Sequence, residues 1–165
     1  MGMYYDYFHA RDAAAAASIA AEGIWKRKDV DVVSLKCFDA QVKLGKMLAF
    51  ATNTTWTADT VRSTMVWPPE PAPKTPEDFD LLPEDSPWFL SEYFLEEFAQ
   101  EFRDALASIS ETQLLRLETD WKPTEEFEAD RYDTTGALSC FRSLLDLAKR
   151  AKAANHKFFL INPAG

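Results

Sequence analysis

Both ends of this 165-residue chain read as strands, and that constrains its fold more than anything between them. Met3-Tyr4-Tyr5-Asp6-Tyr7-Phe8 is rich in strand-favouring aromatics, and Phe158-Phe159-Leu160-Ile161 is a short apolar run of the kind a core buries. Each segment carries backbone N–H and C=O groups that need partners once they leave water. Pairing the two, or placing both in one small central sheet, satisfies them at least cost. The sequence shows no internal repeat and no regular alternation of strand and helix. The expected class is therefore α+β: a single domain over residues 1–165, with a small sheet holding both terminal strands and about five helices.

The helices announce themselves by caps and periodicity. Asp12 stands before an alanine run that closes at Gly23, and Asp39 precedes Ala40, Leu44, Met47, Leu48 and Ala51 at helical spacing. Val30 to Cys37 is apolar enough for a short strand or for the entry to the second helix. A short helix is expected around Ala58 to Arg62, followed by extended Met65-Val66-Trp67, because Pro68 biases Trp67 away from helical angles. Trp88-Phe89-Leu90 reads as a further strand. Leu95, Phe98, Phe102, Ala105, Leu106 and Ile109 then fall on one face of an amphipathic helix whose other face carries Glu96, Glu97, Glu101 and Asp104. Ser110 caps a helix that Pro123 stops, Glu125 to Asp133 reads as an acidic loop, and Thr134 to Ala154 is the last helix. That helix gathers Lys149, Arg150 and Lys152 where its dipole favours cations.

Between residues 68 and 87 lie seven of the nine prolines, with Glu70, Glu77, Asp78, Asp80, Glu84 and Asp85 against Lys74 alone. Such a stretch is expected to be an extended, solvated loop within the one domain. It lacks the flanking basic residue that orients many polyproline ligands.

The whole chain carries a net charge of −9, so its average field repels phosphate backbones and anionic lipid. Nucleic acid and membrane are thus unfavoured partners, and a basic protein surface is the permitted one. No apolar run approaches a membrane span and the start lacks a basic leader, which makes cytoplasm the expected location. Cys37 and Cys140 are isolated and are expected to be buried thiols rather than a zinc site or a disulfide.

No catalytic signature is present. Five glycines leave no GxGxxG and no P-loop, and there is no GxSxG elbow, so no cofactor is expected. His9 and His156 each flank a terminal strand and could converge. A metal site would need further carboxylates beside them, such as Asp6 or Asp12, and the demands of metal geometry make two unrelated histidines the favoured reading.

Taken together, the two ends carry a family likeness. Met1-Gly2-Met3 leading into the strand through Tyr7-Phe8, and the helix Leu144 to Ala154 passing through Asn155-His156 into Lys157 to Ile161, resemble the small bacterial YfbM-like proteins of unassigned function. Leu44-Gly45-Lys46-Met47-Leu48 and the Leu106-Ala107 to Trp121 helix pair are compatible with that likeness. The proline-rich insertion and Asn162-Pro163-Ala164-Gly165 depart from it. The resemblance implies an α+β fold and brings no activity, catalytic residue or cofactor.

Two functional expectations follow. The preferred one is a non-catalytic, immunity-like or regulatory protein that binds a basic protein through the acidic face of Glu96, Glu97, Glu101 and Asp104. The alternative is a small-molecule binder or hydrolase with a groove near Tyr5, His9, Trp67 and His156.

Overall fold

In the computed structural model, which describes residues 2–69 and 71–163, strand β1 (Tyr4–Ala10) lies antiparallel to β5 (Lys157–Pro163). Asp6 stands opposite Ile161, Phe8 opposite Phe159 and Ala10 opposite Lys157. Glu70 of the loop acids, and Met1, Ala164 and Gly165 of the resemblance, lie outside the described residues. The sheet is completed by β2 (Val32–Lys36), β3 (Ser63–Trp67) and β4 (Tyr93–Phe98) in the order β2-β1-β5-β4-β3, every pairing antiparallel. The α+β class and a sheet holding both terminal strands are therefore as the sequence implies. The ambiguous Val30–Cys37 segment resolves as an edge strand, because β1 offers its free edge to it.

Alternation along β1 divides the core. Tyr7 points into the larger cluster, while Phe8 and Ala10 point into a smaller one on the opposite face. The smaller face is covered by α1 (Ala13–Glu22), whose Ala16, Ile19 and Ala20 are buried. Asp12 Oδ1 accepts from Ala15 N at 2.8 Å to start this helix, and Gly23, at φ +98°, ends it in a conformation an L side chain adopts only with strain. Alanine's small volume lets α1 lie close to the sheet.

The larger face is built mainly by α8 (Thr134–Ala153). Its Ala137, Leu138, Phe141, Leu144, Leu145 and Ala148 are buried against the sheet, and full burial of each large side chain is worth roughly 2 kcal/mol. Asp39 caps a π-helical turn, Ala40–Leu44, that runs into α2 (Gly45–Ala51). A Cβ on Gly45 would stand 3.0 Å from both Trp56 Nε1 and Val61 Cγ2, so glycine is what lets the indole close over α2. Ser110 and Gln113 form a reciprocal capping box on α6 (Glu111–Asp120).

Five segments differ from expectation. Ala58 to Arg62 is a turn: Thr57 N donates to Thr60 Oγ1 at 2.9 Å and Asp59 N to Thr57 Oγ1 at 3.2 Å, so the threonine hydroxyls out-compete helical bonding. The insertion is not extended throughout, since Thr75 caps a short helix, α3 (Pro76–Asp80). Pro87–Leu90 is a helical turn, α4, and not a strand, because Ser86 caps it and Pro87 occupies its first turn. The expected long helix across residues 95–109 begins only at Gln100, as α5 (Gln100–Ala107), because Leu95 to Phe98 complete β4 between β3 and β5. Within the acidic loop, Glu125–Ala129 forms α7, whose first-turn acids suit the helix dipole and whose Phe127 packs edge-on against Trp121. Cys37 and Cys140 are free thiols, and both are half-buried rather than buried.

Candidate functional site

The acidic quartet does not share a helix face. Glu96 and Glu97 are neighbours on β4 and so project to opposite faces of the sheet, while Glu101 and Asp104 belong to α5. Intramolecular partners already occupy most of them. Glu96 accepts from Ser63 Oγ at 2.9 Å and from Asn162 Nδ2, Glu97 lies 3.4 Å from Lys157 Nζ, and Asp104 accepts from Arg103 at 2.7 Å. Glu101 lines a small cavity of about 210 Å³ together with Arg62 and Phe102.

The four residues of the alternative groove split in two ways. His9 and His156 converge, with their Nδ1 atoms 2.8 Å apart. Tyr5 lies four residues back on β1, near Asp39, Lys43 and Asp130, where burial raises its hydroxyl pKa. Trp67 is on β3, separated from β1 by β4 and β5, roughly 14 Å across the sheet at ordinary strand spacing, and its Nε1 donates to Ser91 Oγ at 3.0 Å. Only the two histidines of the four meet.

Around the histidine pair the structure adds two residues that the sequence did not single out for it. His9 Nε2 lies 3.0 Å from Asp31 Oδ2, and Arg150 clamps the same carboxylate through Nε at 2.7 Å and Nη2 at 3.1 Å. Arg150 holds the Asp31 carboxyl below its usual range, with burial opposing and His9 assisting. Sequence placed Arg150 at the helix end for its dipole; nothing local marks Asp31 as its partner. Among the described residues no group of three or more His, Cys, Asp or Glu is arranged to hold a metal ion.

A different surface emerges from the insertion. Leu81 is 81% exposed and Leu90 66%, and Phe79, Phe89 and Trp67 are also exposed on the same segment. Phe79 and Phe89 meet edge to face at 4.9 Å, which ties α3 to α4, and Trp88 packs against Phe94 of β4 at 5.4 Å, which anchors the insertion to the sheet. A shallow cavity of about 340 Å³ is lined by Trp67, Pro87, Leu90 and Tyr93 together with the acids Asp85 and Glu92. Glu77, Asp78, Asp80 and Glu84 are exposed nearby in sequence, and Lys74 is the only cation between residues 68 and 92. The sequence marked this stretch as acidic and proline-rich; the two capped turns that present its apolar side chains together escaped notice.

No described helix is long and apolar enough to cross a membrane. No family model, curated protein or solved structure matches the chain.

Proposed function

We propose that this protein is a non-catalytic interaction module that binds a basic, partly apolar protein surface through the insertion between β3 and β4. The observation that carries this reading is the exposure of Trp67, Phe79, Leu81, Phe89 and Leu90 among carboxylates on one segment. Contiguous exposed apolar side chains rimmed by charge are what a docking surface presents, and large exposed hydrophobics are otherwise a liability to a folded chain. Acidic side chains around that patch favour a partner rich in Lys and Arg and speed its encounter. Compared with the β4/α5 carboxylates, those of the insertion have fewer internal ion-pair partners, so they are the better candidates for an external one. Membership of the YfbM-like proteins belongs to the same proposal and adds no activity to it.

The test is capture from host lysate with three forms of the tagged full chain: wild type, Leu81→Asp/Leu90→Asp, and Glu97→Lys/Glu101→Lys. The reading expects a basic protein bound by wild type, eluted by salt, and lost by about tenfold or more with the insertion variant alone. Capture that survives the insertion changes but fails with Glu97→Lys/Glu101→Lys would move the interface to β4 and α5.

The second reading, a small-molecule binder or hydrolase at the terminal strands, draws on the His9–His156 contact. It requires His156→Gln to abolish turnover of a supplied ester substrate while leaving the partner capture intact.

A further inference from the structure

Four side chains from separate segments form one continuous line of contacts: Arg150 near the end of α8, Asp31 just before β2, His9 on β1 and His156 in the turn between α8 and β5. Their protonation states follow from donor and acceptor counting. Asp31, clamped by Arg150, can only accept, so His9 Nε2 carries a hydrogen. In the neutral pair His9 Nδ1 is then bare, and the 2.8 Å contact requires His156 Nδ1 to donate to it. The first added proton enters at His156 Nε2, and the central hydrogen bond persists whichever Nδ1 then holds its hydrogen. A second places hydrogens on both Nδ1 atoms, which face each other and cannot stay in contact.

We propose that this pair is an acid-operated latch, which holds the turn at His156 against His9 of β1 while one central hydrogen is shared and releases that turn when both imidazoles are charged, the Arg150 clamp on Asp31 staying in place. The surrounding charges agree with such a device. Asp31 lies on the His9 side, whereas the charge of Arg11 opposes a proton on His156. Burial, then His9, then Arg11 hold the His156 imidazole below its ordinary pKa. Arg103 Nη1 fixes the His156 backbone by donating to its carbonyl oxygen at 2.7 Å, and Arg103 is itself neutralised by Asp104. Asp146 faces Arg150, and Lys157, next in the chain after His156, is paired with Glu97. With a folded value depressed, the unfolded chain takes up the proton first. Stability is therefore whole above the unfolded imidazole pKa of about 6.5 and is lost as pH falls from there towards the folded value.

The pair is tested by following both imidazole Cε1–H resonances of the intact chain by NMR between pH 8 and pH 4, alongside His9→Gln and His156→Gln. The chain has just two histidines, so each variant reports one imidazole alone. The latch expects two macroscopic steps in wild type, separated by about one pH unit or more, and a single step in each variant. Amide exchange at residues 155–157, corrected for its intrinsic pH dependence, should rise about tenfold or more across the lower step. Two imidazoles titrating together in wild type would overturn the shared hydrogen, and unchanged exchange across the lower step would overturn the release. Both results come from wild type, so they stand even if neither variant folds.

Discussion

On β1, Asp6 stands between Ser34 of β2 and Ile161 of β5, and its Oδ1 is buried without a hydrogen-bond partner among the described residues. Burial raises its carboxyl pKa, and Ser34 lowers it only in part. A carboxyl whose folded pKa exceeds its unfolded one contributes stability below the unfolded value, and that contribution is lost as pH rises through the folded value. At neutral pH the charge is therefore a burden. Asp6→Asn is expected to raise unfolding stability at pH 7 by about 1 kcal/mol, with the advantage shrinking towards about pH 3, where the carboxyl is largely protonated in both states. Urea denaturation at the two pH values checks this. A variant no more stable than wild type at pH 7 would mean the carboxylate is satisfied. Residue-scale features of this kind are partly legible in sequence: a lone acid in an aromatic strand is visible. The link from Asp31 to Arg150 is not, since it joins side chains 119 positions apart.

At the scale of elements, caps were readable and the choice between strand and helix was not always. Asp12, Asp39 and Ser110 each accept a backbone N–H at the start of a helix or helical turn, a local device whose partner lies three residues away. Leu95 and Phe98 fit both periods, because residues three apart can share a helix face and can also face opposite sides of a strand. Tertiary pairing decided: with β3 and β5 on either side, six residues of β4 gain two ladders of hydrogen bonds. The opposite error occurred at Trp88-Phe89-Leu90, where aromatic content suggested a strand and the Ser86-Pro87 start signal outweighed it. This gives a direct test of α4. Ser86 is buried and its Oγ accepts from Trp88 N at 3.3 Å, so Ser86→Ala is expected to cost about 1 kcal/mol. It should also speed amide exchange at residues 88–90 and weaken partner capture through Leu90. Slow exchange unchanged in the variant would show that packing of Trp88 on Phe94, rather than the cap, holds the turn.

For the molecule as a whole, the decisive feature is that the last strand is the middle of the sheet. β5 separates β1 from β4, so the N-terminal β1-β2 pair and the β3-β4 pair become one sheet only when it docks. That the two end segments share one sheet followed from their unpaired backbone, whereas the order of the strands did not, because each antiparallel pairing is chemically equivalent until the helices cover their faces. Pairing Phe8 with Phe159 closes nearly the entire chain, and long loop closure costs entropy before any contact rewards it. β1-β2, β3-β4 and the α8 helix involve nearer neighbours and are expected to form first. Phe159 is fully buried and stacks on Phe8 at 5.5 Å, so Phe159→Ala should destabilise by about 3–5 kcal/mol. If β5 docks late, nearly all of that loss appears as faster unfolding, with the folding rate almost unchanged. Stopped-flow folding in urea separates the two arms. A folding arm slowed by the full destabilisation would instead place the β1-β5 pairing inside the nucleus and make closure of the chain ends the first event in forming this sheet.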